Sequence, residues 1–323
     1  MYKYKVVVAD RRFENYDIER EILEKVNAQL IIENATNQTE LYEAIKDADG
    51  VLLDLIPMRS DMINRLDKCK IIARYGVGYN NVDVEAATKK GIWVSRVPSY
   101  GADEAVSDQA MALTLDCIRK TTVKHNRILA GEWDLMAKYK IHRIKGSTVG
   151  IIGFGQIGSV YAKKISGFSP KEILVYDPYL SKETIEKHQF CKKVDLDVLA
   201  KNSDIITLHC PETQETLNMI NEEFISLMKK TAIIINTARG GIIDNMALAK
   251  ALSDKRISAA GIDVFVENPL PMDHPYRKLE NIVLSDHTGF YTEESYFSMK
   301  SQAASNIAQV LIGKKPFTPL NDL

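Results

Sequence analysis

Short apolar runs alternate with amphipathic stretches along the whole chain. A short apolar run bounded by glycine or polar residues predicts a buried strand, whereas apolar residues three and four positions apart predict a helix. Strands and helices alternate from end to end, which predicts an α/β fold with parallel sheets covered on both faces. The predicted strands are residues 5–9, 30–32, 50–55, 70–73 and 92–95, followed by 149–152, 173–176, 204–209, 232–236, 259–263 and 282–285.

The same pattern divides the chain into two units. The first unit closes near Val97 and Pro98, and the second starts at Ser147. Six strands in the second unit equal the number in a complete doubly wound dinucleotide-binding fold. A long helix at 103–120 is expected to bridge the units, 121–146 is expected to be irregular, and further helices are predicted at 14–27, 39–46, 61–66, 82–89 and after about Tyr291.

Length and composition narrow the class of protein. The 323 residues suit two domains better than one. An apolar content of 45% and a charged content of 26% are those of a soluble globular protein. A net charge of −1 gives no reason to expect nucleic acid or an anionic membrane as a partner.

The sequence shows no targeting or membrane-spanning segment. No apolar run approaches the roughly 20 residues needed to cross a bilayer, and the N-terminus leads straight into a strand without a signal-peptide core. The four cysteines are scattered and form no C-x-x-C motif. We therefore expect reduced thiols in a cytoplasmic protein, and we do not expect a metal site.

The stretch from 147 to 177 carries the strongest indication of function. Gly153, Gly155 and Gly158 form a G-x-G-x-x-G motif between a predicted strand and a predicted helix. When a dinucleotide binds such a motif, the first glycine permits a tight turn and the second lets the backbone approach the pyrophosphate. The third glycine lets helix and strand pack closely. The helix N-terminus presents free N–H groups and a partial positive charge to the phosphates.

Asp177 indicates which dinucleotide binds. It ends the strand that follows the glycine-rich helix, where a carboxylate accepts hydrogen bonds from ribose hydroxyls. A carboxylate there repels a ribose 2′-phosphate, and no arginine follows in Pro178-Tyr179-Leu180. The sequence therefore predicts NAD(H) rather than NADP(H). The alternative is an ordinary βαβ crossover with a glycine-rich turn.

Three later strand ends carry polar groups suited to catalysis. Because parallel strands end on one edge of the sheet, Arg239, Asp263, Glu267 and His287 are expected near the glycine motif. Hydride transfer to a carbonyl needs a proton donor for the oxygen, and histidine is the usual choice. It also needs a cation for the substrate carboxylate, which arginine supplies as a planar fork.

One loop of the first unit also has features of a binding site. It runs from Arg74 to Asn81 directly after a strand, and Gly76 and Gly78 would let backbone N–H groups point outward and bind an anion. A tight turn that needs glycine for its backbone angles explains the same residues. Arg74 counts as a binding residue only if the loop is functional.

Together the motifs resemble the D-isomer-specific 2-hydroxyacid dehydrogenases over nearly the whole chain. They are GFGQIG, LHCPETQET, INTARGGIIDNMAL, AAGIDVF and DHTGFYTEES, and VPSYGADEAVSDQAMAL is most similar to the C-terminal-binding-protein branch. The resemblance implies NAD-dependent interconversion of a D-2-hydroxy acid and its 2-oxo acid by a homodimer joined through its cofactor domains. It also implies a flavodoxin-like substrate domain, 1–100 with 291–323, into which a Rossmann NAD-binding domain, 101–290, is inserted.

The resemblance implies roles for individual residues. His287 matches the acid/base of the family, and Arg239 matches its substrate-binding arginine. Val77 and Gly78 match the loop that holds the substrate carboxylate, and Arg74 matches a substrate-side arginine, which favours the binding interpretation of that loop. The residues at cofactor-contacting positions are Gly153, Gly155, Gln156, Ile157, Gly158, Asp177, Cys210, Pro211, Thr237, Ala238, Asp263, His287 and Gly289.

One position departs from the family pattern. Where the family has a glutamate before a proline, this chain has Asn268, with Glu267 one place earlier. The family's glutamate hydrogen-bonds the histidine and stabilises its charged form, whereas an asparagine orients the ring without supplying charge. We therefore expect a lower pKa for His287 than in its relatives, unless Glu267 takes over that role. The departure keeps a second hypothesis open, a binding protein that senses NAD(H) with little or no turnover.

Overall fold

The computed structural model describes residues 2–133 and 140–323. Its strands and helices are numbered here in chain order. The strands are β1 (Tyr4–Val8), β2 (Ala28–Ile32), β3 (Gly50–Leu53), β4 (Ile71–Arg74), β5 (Trp93–Ser95), β6 (Thr148–Ile152), β7 (Glu172–Tyr176), β8 (Cys191–Lys193), β9 (Ile205–Leu208), β10 (Ile233–Asn236), β11 (Ala259–Ile262) and β12 (Ile282–Leu284). The helices are α1 (Asp17–Glu24), α2 (Gln38–Ile45), α3 (Ser60–Ile63), α4 (Val84–Lys89), α5 (Ala102–Arg119), α6 (Thr121–Leu129), α7 (Gln156–Ser166), α8 (Lys182–Glu186), α9 (Leu196–Asn202), α10 (Glu222–Leu227), α11 (Asn245–Ser253) and α12 (Glu293–Leu311).

The chain forms two compact units. The first unit contains the residues up to Gly101 together with Thr292–Leu323, and the second contains Ala102–Tyr291. These divisions lie one residue from the predicted domain boundaries.

The first unit is built on a parallel sheet in the order β2-β1-β3-β4-β5. This is the flavodoxin-like order of a doubly wound fold, and it contains all five predicted strands. Helix α12, from the end of the chain, packs on this sheet through Met299, Ala303 and Ile307, each of which is almost fully buried. Thr292 caps the start of α12 by accepting a hydrogen bond from the backbone N–H of Ser295.

The second unit is built on a parallel sheet in the order β12-β11-β10-β9-β6-β7-β8. The four central strands are buried at every position, as expected for continuous apolar runs covered on both faces. The strand order reverses between β6 and β9, and ligands of such sheets bind outside the carboxyl ends of the strands at that point. The predicted fold class, two α/β domains with parallel sheets, is confirmed.

Two elements of the second unit differ from the prediction. The segment predicted to be irregular begins with α6, in which no residue is buried. A helix without a buried face has no apolar periodicity, so the sequence pattern does not reveal it. The sheet has seven strands rather than six in the described residues, because β8 pairs with β7 as a short edge strand. Its sequence, Cys191-Lys192-Lys193, contains no apolar run.

Candidate active site

The loop from β6 to α7 needs its three glycines for three different reasons. Gly153 has a φ of +88°, and a Cβ on it would lie 2.6 Å from the backbone nitrogen of Cys210. A Cβ on Gly158 would lie 2.2 Å from the carbonyl oxygen of Gly153, so α7 packs directly on the loop. A Cβ on Gly155 would meet no atom within 4 Å. The backbone at Gly155 is therefore open to the close approach of a ligand, as the motif predicts.

Helix α7 begins at this loop without a side-chain cap. Gly155 occupies the N-cap position and has no side chain that could hydrogen-bond the N–H groups of the first turn. The first N–H groups of a helix have no partner within the helix, so they are available to a phosphate. Gln156 is exposed and Ile157 is half-buried at the start of the helix.

Asp177 holds the glycine loop and the turn that follows β7. Its Oδ2 atom accepts a hydrogen bond from the backbone N–H of Phe154 across 2.9 Å. Its Oδ1 atom accepts from the N–H groups of Tyr179 and Leu180, across 2.9 and 3.2 Å. A carboxylate offers about four lone-pair positions, so these three bonds leave one position of Oδ2 for a ribose hydroxyl. The sequence predicts the ribose contact but not the three backbone contacts.

The loop that carries Arg239 is shaped by Asn236 at the end of β10. The side-chain amide of Asn236 donates to the carbonyl of Arg239 across 2.8 Å and accepts from the N–H of Ala238 across 3.0 Å. A Cβ on Gly240 would lie 2.2 Å from the carbonyl carbon of Phe265, so this loop packs directly on the loop after β11. The position of the loop that carries Arg239 therefore depends on the position of the loop after β11.

Asp263 holds both ends of the loop that carries His287. Asp263 follows β11 and is 2% exposed. Its Oδ1 atom accepts a hydrogen bond of 2.6 Å from the Ser285 hydroxyl, and its Oδ2 atom accepts one of 3.0 Å from the backbone N–H of Gly289. The side-chain amide of Gln109, on α5, donates to Ser285 Oγ across 2.9 Å. The histidine is thus held between two anchored residues.

His287 adopts a backbone conformation that few residues other than glycine adopt. Its φ is +60°, in the left-handed region, and its side chain is half-buried. Non-glycine residues persist in this region only where the surroundings enforce it, and such residues cluster at functional sites. The bonds of Asp263 to either side of His287 provide that enforcement.

Asn268 and Glu267 occupy the turn after β11, and both are exposed. The contact shown for the Asn268 side chain is with its own turn, since its amide nitrogen donates to the carbonyl of Phe265 across 3.4 Å. The structure does not bring Asn268 to His287 by a hydrogen bond within the described residues. The role of either residue in setting the charge of His287 therefore stays a prediction.

The described residues at this strand edge fit a dinucleotide. Thr237 is 6% exposed, and its buried hydroxyl oxygen has no hydrogen-bond partner within the part of the chain that the structure describes. Buried hydroxyls are normally paired, so this one is available to a bound ligand. Ala238, the next residue in the chain, is half-buried. Cys210 is also half-buried and follows β9, the strand that pairs with β10. Burial raises the pKa of the Cys210 thiol to about 11, so it is a neutral contact and not a nucleophile.

His209 lies next to this edge but has the properties of a structural residue. Burial lowers its pKa to about 3, so its ring is neutral at physiological pH. Its Nε2 atom is 3.0 Å from the hydroxyl of Thr207, and the ring centroid is 5.3 Å from that of Tyr161. These contacts favour packing over proton transfer.

In the first unit, the predicted substrate loop follows β4. Arg74 is largely buried, and its Nη2 atom is 3.2 Å from Asp54 Oδ1. Gly76 has a φ of +89°, and a Cβ on it would lie 2.4 Å from Arg74 Nη1. The guanidinium therefore lies directly over the start of the loop that contains Val77 and Gly78. The Val77 side chain is 37% exposed.

The sequence did not indicate four residues that support the two predicted loops: Arg12, Asp54, Gln109 and Ser285. Asp54 is shared by two arginines, since its Oδ2 atom lies 3.1 Å from Nη1 of Arg12. Gln109 and Ser285 belong to the anchor of the histidine loop. Asp54 directly follows β3, and Arg12 comes shortly after β1, so both lie at the carboxyl edge of the first sheet. That position in the sequence could have indicated them, because ligands of such sheets bind at this edge.

The described residues contain neither a metal-binding cluster nor a membrane-spanning helix. No group of three or more His, Cys, Asp and Glu side chains in residues 2–133 and 140–323 is arranged to hold a metal ion. No helix in those residues has both the length and the apolar character needed to cross a bilayer.

Comparison with known proteins identifies the second unit. Residues 111–289 match the family described as D-isomer specific 2-hydroxyacid dehydrogenase, NAD binding domain. The matched range contains every strand of the second unit, from β6 to β12. The predicted NAD-binding domain is confirmed by this match.

Similarity to individual proteins extends over both units. A glyoxylate reductase of Korarchaeum cryptofilum is 37% identical over 283 residues, which are 85% of this chain and 83% of the relative. A D-3-phosphoglycerate dehydrogenase of Methanocaldococcus jannaschii is 40% identical over 294 residues, 91% of this chain, and the chain spans only 55% of that relative. The crystal structure of a D-lactate dehydrogenase from Aquifex aeolicus, complexed with NAD and lactic acid, has a TM-score of 0.85 at 26% identity and 96% coverage of each chain.

Proposed function

Because the chain belongs to the D-isomer-specific 2-hydroxyacid dehydrogenase family, we propose that it interconverts a small D-2-hydroxy acid and its 2-oxo acid with NAD(H). The observation that carries this proposal is the strand edge of the second unit. There Asn236 shapes the loop of Arg239, and Asp263 holds both ends of the loop of His287. Relatives named glyoxylate reductase and D-3-phosphoglycerate dehydrogenase support 2-oxo acids as the substrate class.

Two residues of this chain carry the substrate binding and the proton transfer of the reduction. Arg239 presents a planar, permanently charged guanidinium that binds the substrate carboxylate and polarises the carbonyl. His287, protonated, donates its proton to the carbonyl oxygen as that oxygen gains negative charge. The carbonyl carbon would accept its hydride from NADH bound at the glycine loop. The products are the 2-hydroxy acid and NAD⁺, and in the reverse direction His287 accepts the hydroxyl proton.

The remaining assignments belong to the same proposal. The first unit is the substrate domain, and Arg74, Val77 and Gly78 bind the substrate carboxylate through a cation and backbone N–H groups. Either Asn268 leaves the His287 ring without a charged partner, or Glu267 supplies that charge. Family membership supports a homodimer in the cytoplasm.

NADH oxidation, followed by its absorbance, tests the proposal with glyoxylate, pyruvate, hydroxypyruvate and 3-phosphohydroxypyruvate. We expect turnover of at least one acid. His287→Asn suits the left-handed backbone at this position and should lower kcat by about 10²- to 10⁴-fold, the usual contribution of a general acid. Arg239→Lys should raise KM because it retains the charge but loses the two-pronged hydrogen bond. The exposed His142→Asn variant is the matched control and should retain full activity.

A second function is favoured by Asn268, which supplies no charge and hydrogen-bonds its own turn. In that case the protein senses NAD(H) and turns over little or no substrate. The same experiment separates the two functions. Tight NADH binding without turnover of any acid in the panel would favour the sensor and contradict the enzyme.

A further inference from the structure

A fully buried ion pair joins the first and last helices of the first unit. Glu19 on α1 and Lys300 on α12 are each 0% exposed, and Glu19 Oε2 lies 3.3 Å from Lys300 Nζ. The ammonium also donates to the carbonyl of Asn15 across 2.6 Å and to the hydroxyl of Tyr296 across 3.1 Å. Asn15 Oδ1 also lies 3.4 Å from the ammonium, so the hydrogen bonds of Lys300 go to Asn15 and Tyr296, and its contact with Glu19 is an ion pair.

Aromatic rings surround this ammonium. Its nitrogen is 4.5 Å from the ring centroid of Tyr296, 5.2 Å from that of Tyr16 and 5.6 Å from that of Phe13. These are distances at which a cation is attracted by the ring face. The ammonium is therefore held by an ion pair, by hydrogen bonds and by three aromatic rings.

The ion pair reaches the predicted substrate loop through one tyrosine. Tyr75 lies between Arg74 and Gly76, is 1% exposed, and donates a hydrogen bond of 2.9 Å from its hydroxyl to Glu19 Oε1. Its ring stands edge-on to Phe13, with centroids 5.0 Å apart. A hydrogen bond to an ionised carboxylate is stronger and more directional than one between neutral groups. The ion pair therefore fixes the position of the Tyr75 ring.

Fixing Tyr75 also fixes its neighbours. Tyr75 directly follows Arg74, the last residue of β4, and its backbone N–H donates to the carbonyl of Leu53 across 2.9 Å. The backbone between Arg74 and Gly76 is therefore held at Tyr75 both by this bond and by the side chain. Arg74 is itself bound to Asp54 and lies over Gly76. The start of the substrate loop is thus held by the side chains of two consecutive residues, Arg74 and Tyr75.

Stability alone does not explain this arrangement. Burial opposes the charged form of each partner, since desolvation raises the pKa of Glu19 and lowers that of Lys300. Apolar residues of similar volume often stabilise a core as well as a buried ion pair or better. A charged carboxylate is required, however, to hold the Tyr75 hydroxyl in a charge-assisted hydrogen bond. The pair therefore supplies something that two apolar residues could not, a charged acceptor for the Tyr75 hydroxyl.

We propose that Glu19 and Lys300 are positioning residues, which act through Tyr75 to hold the Arg74–Gly78 loop in the geometry that binds the substrate carboxylate. This inference rests on the proposed function, because it concerns the binding of a 2-oxo acid. It predicts that the pair sets the affinity for the acid and leaves cofactor affinity unchanged, since NAD binds to the other unit.

Tyr75→Phe is the primary test, because it removes only the hydroxyl that meets Glu19. We expect KM for the 2-oxo acid to rise about tenfold, as small misplacements of binding groups have large kinetic effects, while Kd for NADH stays within about twofold. Tyr276→Phe is the matched control: this tyrosine is also 1% exposed and donates a 2.9 Å hydrogen bond, to Asn245 in the second unit. It should lose similar thermal stability without a change in KM.

The double variant Glu19→Met with Lys300→Met separates positioning from stability. Two apolar residues should restore the Tm lost in Glu19→Gln, but KM for the acid should stay raised because Tyr75 has no charged acceptor. A KM that returns to the wild-type value together with Tm would overturn the inference. So would a Tyr75→Phe enzyme whose KM lies within twofold of wild type.

Binding of oxamate, a non-reacting analogue of a 2-oxo acid, makes the result independent of turnover. Its Kd for the NADH complex, measured by quenching of NADH fluorescence, should rise in Tyr75→Phe by the same factor as KM. If wild type binds oxamate but reduces no acid, the proposed enzyme is contradicted. In that case a raised oxamate Kd in Tyr75→Phe supports the inference about the ion pair, and an unchanged Kd overturns it. A wild type that neither reduces an acid nor binds oxamate overturns both proposals.

Discussion

The carboxylate of Asp263 accepts a hydrogen bond from the backbone N–H of Gly289 across 3.0 Å, two residues beyond the candidate acid/base. The other carboxylate oxygen binds Ser285, two residues before it. His287 has a left-handed backbone that is costly without such support. Asp263 is therefore needed to aim the imidazole, whether or not it also contacts the cofactor.

Asp263→Ala should lower kcat by about 10²-fold, because a misplacement of about 1 Å at a reacting group has an effect of that size. Ser285→Ala removes one of the two anchors and should lower kcat by about tenfold or less, the equivalent of one hydrogen bond. Steady-state kinetics of both variants test this. Ser226→Ala, which removes an exposed serine hydroxyl, is the control. Equal kcat values for Asp263→Ala and wild type would show that the histidine loop needs no anchor.

Substitutions at two glycines of the loop from β6 to α7 should affect different properties, one the affinity for NADH and the other the stability of the second unit. A Cβ on Gly155 meets no atom within 4 Å, so Gly155→Ala should leave Tm almost unchanged. It should nevertheless raise Kd for NADH by about 10- to 100-fold, because the added methyl group fills the space where the backbone approaches the pyrophosphate. Gly153→Ala should instead destabilise the second unit, by about 1–2 kcal/mol for its left-handed φ and further for the contact with Cys210.

Thermal unfolding with and without NADH measures both effects. Gly167→Ala, at the other end of α7, is a control in which the nearest contact of the new Cβ is an ordinary 3.4 Å. If Gly155→Ala binds NADH as tightly as wild type, the pyrophosphate does not approach the loop at that residue.

The departure at Asn268 predicts a change in pH dependence. Reduction requires His287 in its protonated form, so activity falls as pH rises through the pKa of that histidine. Asn268→Glu adds a negative charge, which should raise the pKa and shift the alkaline limb of kcat/KM upward by about one pH unit. Because the Asn268 side chain is exposed, the longer glutamate can be accommodated.

Glu267→Gln decides whether the adjacent carboxylate already performs this role. If it does, this variant should shift the alkaline limb downward, and Asn268→Glu should have little effect. Profiles of kcat/KM against pH for wild type and both variants distinguish the cases. An Asn268→Glu profile that overlays wild type would contradict a shortage of charge at His287.

The chemistry at strand ends could be predicted from the sequence, whereas the contacts that support it could not. Gly153, Arg239 and His287 follow apolar strands in motifs of fixed spacing, and parallel strands bring such ends to one edge. The anchor made by Gln109 and Ser285 joins residues that are 176 positions apart. Gln109 lies in the motif VPSYGADEAVSDQAMAL and Ser285 directly precedes DHTGFYTEES, but neither motif indicates that the two residues meet. Local pattern carries no information about such a contact.

Glu19 and Lys300 illustrate the same limit more strongly. Each is a charged residue on an amphipathic helix, where charged side chains are almost always solvated. Both are 0% exposed, because α1 and α12 bring together residues from opposite ends of the chain. The helix predicted at 14–27 buries Glu19, which no pattern of apolar residues reveals. Such a pair becomes visible only when the fold is known.

His209 gives a prediction for stability against pH. Burial lowers its pKa to about 3, whereas a histidine in the unfolded chain has a pKa of about 6.5. Between these values the unfolded chain binds a proton that the folded chain does not, so the stability that is complete above pH 6.5 is lost as pH falls toward 3. At pH 5 the loss amounts to about 2 kcal/mol, from 1.36 kcal/mol for each pKa unit.

Replacing this histidine should remove that pH dependence. His209→Gln retains a polar group for the Thr207 hydroxyl but has no proton to gain in this range. Urea unfolding at pH 8 and pH 5 should show the variant less stable than wild type at pH 8, where a packed ring is lost. The difference should narrow by about 2 kcal/mol at pH 5, because only wild type carries the cost of a histidine kept neutral. The exposed His142→Gln variant is the control. If the difference for His209→Gln is the same at pH 8 and pH 5, the ring of His209 takes up a proton in the folded protein.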